Sequence, residues 1–213
     1  MMICPNSHAR FLGSKPDNTI MSIHNIFAEH AKVTARAAQE LPDILERVVK
    51  AVDECLHGGH KIFACGNGGS AADAQHLVAE LIGRFLHERR ALPAIALTAD
   101  AATLTAIGND YGYERVFARQ LEGLAQKGDL LFAISTSGNS HNVLQAAQTA
   151  RGLGCIVVGM TGERDSKLAA LADPDLLIRA PSTVTARIQE VHTLCIHAIA
   201  GSLDALLKER EAS

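Results

Sequence analysis

From residue 61 onward, short runs of β-favouring residues alternate with longer segments of helical pattern. This pattern predicts five strands, at residues 61–65, 94–97, 130–135, 155–160 and 175–178. Strands separated by helices need right-handed crossover connections, which produce a parallel sheet with helices on both faces. This alternation therefore predicts an α/β fold, a three-layer sandwich around a parallel sheet.

Helical patterns also flank the alternating region. Residues 22–56 read as two helices, with Pro42 where the second can begin and Gly58-Gly59 where it can end. A last helix is expected over about residues 184–207. The N-terminal helices exceed what a small sheet needs, so they are predicted to pack between subunits or to cover one face of their own sheet.

Composition limits the class of protein. With 213 residues and 47% hydrophobic content, we expect one domain, over 21–213, preceded by a flexible extension at 1–20 that lacks both helical pattern and the apolar core of a signal peptide. A net charge of −3 argues against nucleic-acid and anionic-membrane partners. No apolar run is long enough to span a bilayer. The five cysteines lack CxxC spacing, which predicts reduced thiols and a cytoplasmic protein.

The first chemical signal is the run Gly66-Asn67-Gly68-Gly69-Ser70, directly after the first predicted strand and before a helix. Ligands of open parallel sheets bind at the carboxyl ends of strands, where backbone N–H groups of a glycine-rich turn can approach an anion. Ser70 is expected to be the N-cap of the helix. A tight turn without a ligand is the alternative.

The same glycines fit the relaxed dinucleotide pattern GxGxxA through Gly66, Gly68 and Ala71, so a nicotinamide-dependent oxidoreductase is a rival. That class needs an acidic residue about twenty positions further on, at the end of the second strand. The nearest candidate, Asp100, lies thirty residues past the glycine run. The spacing therefore weighs against an oxidoreductase.

The second signal follows the third predicted strand and also precedes a helix: the run 135–140, with sequence STSGNS. Hydroxyl groups at a helix N-terminus can surround a phosphate with neutral donors, although a serine-rich turn can also serve only as a cap. Two such loops on neighbouring strand ends predict a shared phosphosugar site.

Two helices carry acid–base and metal-binding residue types. His76 and Glu80 are four residues apart and share one helical face, where they can bind a divalent metal or form an exposed pair. Gln189 and His197 are eight residues apart, about 80° around a helix axis, so they could reach a common point. Spacing alone does not decide which histidine faces the site. We interpret His192 as a core residue.

A polar run flanked by glycines at 108–112 is expected to form a loop that either binds sugar hydroxyls or turns the chain. The run overlaps the segment 106–110. This segment, with the segments 66–76, 135–140 and 186–192, resembles the motifs of phosphoheptose isomerases, a family of the SIS (sugar isomerase) class. The resemblance runs from residue 23 to 206 with the motifs in the family's order. It implies the SIS fold, with a flavodoxin-like sheet of five parallel strands.

The resemblance also implies an activity and an assembly. The activity is the ketose–aldose isomerisation of sedoheptulose 7-phosphate to D-glycero-D-manno-heptose 7-phosphate through an ene-diol, the first step toward heptose precursors of lipopolysaccharide or related surface glycans. The assembly is a homotetramer with active sites between subunits. Zinc, one ion per subunit, is the implied cofactor.

Roles follow by position from the same resemblance. The acid–base pair would be Glu80 and His197, with the base and acid assignable in either order. Phosphate would be held by Ser135, Thr136, Ser137 and Ser140. The other substrate contacts would be Asn67, Gly68, Gly69, Glu80, Asn109, Asp110 and Gln189. The implied zinc ligands are His76, Glu80, Gln189 and His197.

Two other function classes share these loops. Proteins that attach to the replication initiator resemble isomerases that have lost the catalytic glutamate and the terminal histidine. SIS transcription regulators carry an added DNA-binding module, for which one domain of this length leaves no room. Since this chain keeps both Glu80 and His197, an enzyme is the better interpretation.

Overall fold

The computed structural model describes residues 22–211, so the expected extension at 1–20 lies outside the described residues. Strands and helices alternate from the first strand onward, as predicted. The strands are β1 Ile62–Cys65, β2 Ala94–Ala96, β3 Leu130–Ile134, β4 Ile156–Gly162 and β5 Leu177–Ala180. The helices are α1 Ile23–Glu40, α2 Pro42–His57, α3 Gly69–Ile82, α4 Ala101–Tyr111, α5 Ala118–Leu124, α6 His141–Gly152 and α7 Thr185–Glu211.

The five strands form one parallel sheet in the order β2-β1-β3-β4-β5, which confirms the predicted flavodoxin-like topology. The chain adds β2 on one side of β1 and then crosses back to add β3, β4 and β5 on the other side. The strand order therefore reverses between β1 and β3. Cys65 of β1 is in register with Ala133 of β3, so the two strands end side by side. A ligand crevice is expected at this point of a doubly wound sheet.

The side chains of each strand divide between two cores, as the period of two along a strand requires. Phe132 of β3 packs with α2, α3 and α7 on one face, while its neighbours Leu131 and Ala133 pack with α4, α5 and α6 on the other. All five side chains of β3, Leu130–Ile134, are fully buried. The predicted three-layer sandwich is therefore confirmed.

The N-terminal helices differ in what they cover. Pro42 is the first residue of α2 and Gly58 follows its last, as predicted, and α2 buries Val48, Val49 and Val52 against the sheet. In contrast, α1 has one buried residue, Ala37, and its first turns carry large exposed apolar side chains. Thus α2 serves its own sheet, whereas much of the apolar surface of α1 faces outward.

The segment at 108–112 is not the loop that its glycine, asparagine and aspartate residues predict. Residues up to Tyr111 continue α4, and the chain turns only at Gly112, where φ is 88°. The helix is set by Asp100, whose carboxylate accepts hydrogen bonds from the N–H groups of Ala102 and Thr103, and by burial of Ile107. Tertiary packing thus overrides local turn propensity.

No helix between residues 22 and 211 is both long enough and apolar enough to cross a bilayer.

Candidate active site

The two loops predicted to bind substrate lie side by side at the carboxyl ends of β1 and β3. Asn67 of the glycine loop and Asn142 of α6 exchange two amide hydrogen bonds, both of 2.8 Å. The Tyr113 hydroxyl donates to Asn67 Oδ1 over 3.2 Å. These bonds tie the glycine loop, the start of α6 and the turn after α4 into one unit.

The glycine loop brings backbone very close to α7. Gly68 has φ of 55°, in the left-handed region that favours glycine, and Gly69 is the first residue of α3. A Cβ at Gly69 would overlap the side-chain amide of Gln189. The N-cap is Gly68, so the prediction of Ser70 as N-cap is wrong; Ser70 lies inside the first turn and is buried.

The serine loop gathers hydroxyl groups at the start of α6. Ser135 and Ser140 are linked Oγ to Oγ at 3.0 Å, and the Ser137 hydroxyl accepts from the Asn139 N–H at 3.2 Å. Gly138 turns the loop with φ of 61°. The position of these hydroxyls after β3 and before α6 agrees with the predicted arrangement.

A pocket of about 310 Å³ lies between the two loops and α7. Uncharged residues line it: Asn67, Gly68, Gly69, Ser70, Ile134, Ser135, Thr136, Ser140, Thr185 and Gln189. Ser137 lines a neighbouring cavity of about 180 Å³, which Thr136 also borders. An anion in the larger pocket would be met by hydroxyls, amides and backbone N–H groups rather than by cationic side chains.

Helices α3 and α7 run side by side in the same direction and contact each other at successive turns. Gly69 meets Gln189, Asp73 accepts a 3.1 Å hydrogen bond from the Thr193 hydroxyl, and His76 meets His197. The eight residues from Gln189 to His197 span about 12 Å of helix axis. Gln189 therefore lies at the loop pocket, and His197 lies further along with His76.

His76, Glu80 and His197 form a cluster at the far end of this contact. His76 Nε2 is 3.0 Å from Glu80 Oε1 and 3.2 Å from His197 Nε2, and ligand atoms of all three residues lie within 4.8 Å of one another. A neutral imidazole nitrogen carries either a proton or a lone pair, so His76 Nε2 cannot satisfy both neighbours when Glu80 is ionised. A cation among the three atoms would satisfy every lone pair, and two imidazoles with one carboxylate are a donor set that zinc accepts.

Burial distinguishes His192 from His197, which spacing alone did not do. His192 is fully buried, and its Nε2 bonds the carbonyl of Thr161 at 3.1 Å. Burial lowers the pKa of His192 to about 4, against the raising effect of that bond, so the ring is neutral near pH 7. His192 is a core residue, as predicted.

Asn109 and Asp110 are exposed in the last turn of α4, where the Asn109 amide donates to the Asp110 carboxylate at 2.8 Å. Neither residue lines the pocket between the loops. Their connection to that pocket runs through the following turn, where Tyr113 reaches Asn67. Their assignment as sugar contacts stays a prediction.

Sequence reasoning missed several residues that build the site. Asn142 and the Asp73–Thr193 pair support the loops and the helix contact, and burial raises the pKa of Asp73 against the effects of Thr193 and His76. A signal was present for Asp73: it is four residues after Gly69, on the same helical face, and thus on the side that meets α7. For Asn142, no feature of its own segment reveals a partner at residue 67.

Comparisons with known proteins agree with this architecture. The family model described as SIS domain matches residues 26–162. The chain is 53% identical to the phosphoheptose isomerase of Aliarcobacter butzleri, over 84% of this chain and 93% of that protein. It is 48% identical to the phosphoheptose isomerase of Shewanella loihica, over 87% of this chain and 94% of that protein.

A solved structure gives the same result. The phosphoheptose isomerase of Neisseria gonorrhoeae superposes with a TM-score of 0.81 at 42% identity, covering 86% of this chain and 97% of that one. Sequence and structure together thus carry the likeness over most of both chains. The chain belongs to the SIS domain family and, within it, to the phosphoheptose isomerases.

Proposed function

We propose that this protein is an aldose–ketose isomerase that converts sedoheptulose 7-phosphate to D-glycero-D-manno-heptose 7-phosphate. The observation that carries the proposal is that α3 and α7 line a phosphate-type pocket at one end of their contact and hold an acid–base cluster further along. The names of the relatives supply the substrate. The product would feed the synthesis of heptose precursors for lipopolysaccharide or related surface glycans.

The serine loop is the proposed phosphate site. Its four hydroxyl residues, Ser135, Thr136, Ser137 and Ser140, would donate to the phosphate oxygens together with N–H groups at the start of α6. Asn67, Gly68, Gly69 and Gln189 would contact the sugar from the other wall of the pocket. Asn109 and Asp110, on α4, are retained as predicted sugar contacts.

The isomerisation moves a proton between C1 and C2 through an ene-diol and transfers protons between the two oxygens. Glu80 is the proposed base for the carbon-bound proton, and His197 the proposed acid and base for the oxygens. Both side chains are partly buried and contact His76 Nε2, so water has limited access to them. The reverse assignment stays open to test, since both groups reach the same nitrogen.

Zinc is the proposed cofactor, held by His76, Glu80 and His197, with Gln189 as the predicted fourth ligand. The converging lone pairs of the first three support it. Gln189 would have to turn its amide away from Gly69 to join them. When bound, zinc would polarise the substrate carbonyl.

The proposed assembly is a homotetramer with active sites between subunits. Ile23 and Phe27 of α1 are 72% and 70% exposed, and a second subunit is a natural cover for them. The proposed location is the cytoplasm, which is consistent with free, buried thiols at Cys55, Cys65 and Cys195. Light scattering that reports a monomer at micromolar concentration would contradict the assembly.

The activity is tested by incubating the purified protein with sedoheptulose 7-phosphate in D₂O without nicotinamide and following the sugars by NMR. We expect the aldose to appear, with deuterium at the carbon that gains a proton. Absence of turnover with heptose, hexose and pentose phosphates, with and without added zinc, would overturn the enzyme proposal. Turnover only with added nicotinamide would favour an oxidoreductase instead.

A further inference from the structure

The imidazole of His197 has an aromatic neighbour outside the acid–base cluster. The ring of Phe85 stacks on it with a centroid distance of 5.4 Å and an interplanar angle of 19°. His76 meets the same imidazole edge-on, at 4.9 Å and 78°. His197 is therefore oriented by two rings, one of which belongs to the segment that follows α3.

That segment is fixed to α7 by a buried carboxylate. Asp204 Oδ2 accepts from the N–H groups of Leu86 and His87 at 2.8 and 3.1 Å, and Asp204 Oδ1 accepts from Arg89 Nε at 2.7 Å. The Asp204 side chain is fully buried, and that of Arg89 is 3% exposed. A buried ion pair with these additional hydrogen bonds holds the backbone on both sides of Leu86 in one position.

The same arginine also fastens the end of α3. Its guanidinium donates to the carbonyl of Glu80 at 2.6 Å and to that of Leu81 at 2.9 Å. The last carbonyls of a helix lack intrahelical partners and carry partial negative charge, so a buried guanidinium there is favourable. Arg89 is thus bonded to the backbone of the proposed base itself.

The α7 residues that contact Phe85 and its segment lie on one face of the helix. His197, Gly201 and Asp204 are spaced by four and three residues and therefore lie on one helical face. A Cβ at Gly201 would lie 3.3 Å from Phe85 Cε1, so the ring rests directly on the helix backbone. A larger residue at 201 would force the ring away from the imidazole.

We propose that Phe85, held by Arg89 and Asp204, is a positioning residue that orients His197 toward Glu80 and His76. This inference rests on the proposed function, because it assigns a role relative to the acid–base pair. Phe85 touches His197 rather than the substrate pocket. Its loss should therefore change the chemical step and metal binding while leaving the phosphate contacts intact.

The test compares Phe85→Leu with Phe85→Tyr, which keeps an aromatic ring, and with Leu86→Ala as matched control. Leu86 is the adjacent apolar residue, 63% exposed. For each variant, kcat and KM for sedoheptulose 7-phosphate are measured, together with Co²⁺ affinity from its visible absorption, and thermal melting verifies folding. Partners that orient metal-ligating histidines are typically worth about 10–100-fold in activity or metal affinity.

For Phe85→Leu we expect kcat and Co²⁺ affinity to fall by about tenfold or more with KM within twofold of wild type. Phe85→Tyr should restore both, and Leu86→Ala should change neither. A folded Phe85→Leu variant with wild-type kcat and Co²⁺ affinity would overturn the inference, and so would an equal loss in Leu86→Ala. Wild-type turnover is measured first; its absence defeats the proposed function, whereas an unchanged Phe85→Leu in an active wild type defeats only the positioning role.

Discussion

Polar groups at the two ends of β3 differ in how fully their hydrogen bonds are satisfied by the protein itself. At the amino end, Asp129 is fully buried and accepts hydrogen bonds from Lys61 N–H, from Lys61 Nζ and from Gln126 N–H at 2.8–3.0 Å. At the carboxyl end, the side-chain hydrogen bonds of Ser135 and Ser140 within residues 22–211 join their hydroxyls to each other at 3.0 Å and Ser135 to the Ser137 hydroxyl at 3.5 Å. One end is saturated by its own chain, and the other keeps bonding capacity for a ligand.

This difference separates residues that stabilise the fold from residues that act on substrate. A saturated buried carboxylate contributes to the free energy of unfolding, because removing it strands its donors. A cluster with unmatched lone pairs, such as His76 with Glu80 and His197, contributes little to folding and is suited to a proton or a metal. Substitutions at Asp129 and in the cluster should therefore fail in different assays.

The largest expected effect is on turnover, at the acid–base cluster between α3 and α7. Glu80→Gln removes the proposed base and should lower kcat by about 10²–10⁴-fold, because that is the usual worth of an acid–base group. Phosphosugar binding, followed by thermal shift, should persist, since the loops supply most ground-state contacts. Assays with and without added zinc separate loss of the base from loss of a ligand.

The matched control is Glu54→Gln, the same chemical change at an exposed position of α2. It should leave kcat unchanged. If Glu80→Gln turns over near the wild-type rate with and without zinc, Glu80 is not the base, and His197 or another carboxylate takes that role.

The amino end should show the converse. Asp129→Asn leaves Lys61 without its carboxylate partner and should lower the free energy of unfolding by roughly 2–4 kcal/mol, less than for a fully buried pair because Lys61 is partly exposed. Below the melting temperature, kcat should stay within about twofold of wild type, since Asp129 belongs neither to the pocket between the loops nor to the cluster of His76, Glu80 and His197. Urea unfolding and NMR assays on one sample measure both.

Asp175→Asn, at an exposed position before β5, is the control for the charge change and should not alter unfolding. A large loss of kcat in folded Asp129→Asn would contradict the separation between residues that stabilise the fold and residues that act on substrate.

The stability difference between wild type and Asp129→Asn should also depend on pH. Burial alone would raise the pKa of Asp129, but hydrogen bonds from Lys61 and Gln126 outweigh it and hold the pKa below its usual range. A depressed folded-state pKa contributes stability that is fully present above the unfolded value, about 3.9, and is lost as pH falls through the folded pKa. Urea melts from pH 7 to 3 should therefore show the difference shrink below about pH 4; a constant difference would refute this account.

Much of the fold and the outline of the site follow from the sequence because their causes are local. The continuous apolar run of β3 and the loops at Gly68 and Gly138 depend on residues within a few positions of each other. The spacing of His76 and Glu80 on one face is also fixed by the helix itself. These features were predicted correctly.

What the sequence did not reveal depends on contacts between distant segments. Asp204 bonds Leu86 across 118 residues, so the stacking of Phe85 on His197 cannot be read from either segment alone. The one signal in the sequence is the position of Asp204 on α7. This carboxylate follows Leu203 and lies four residues after Ala200, and both of those residues are buried. Similarly, Asn109 and Asp110 have strong turn propensity, and the burial of Ile107, together with the Asp100 cap, shows why they stay helical.

The smallest expected effect is at Ser137, which sharpens the comparison within the carboxyl end itself. Ser137 is exposed, and its hydroxyl accepts from the Asn139 N–H, so its loss removes one phosphate donor and leaves the other loop hydroxyls in place. Ser137→Ala should raise KM by about three- to tenfold with kcat unchanged, because one hydrogen bond made equally in ground and transition states is lost. Ser202→Ala, an exposed serine on α7, is the matched control and should alter neither constant. A fall in kcat at constant KM would instead mean that Ser137 acts on the chemical step, and the serine loop would then not be a pure binding element.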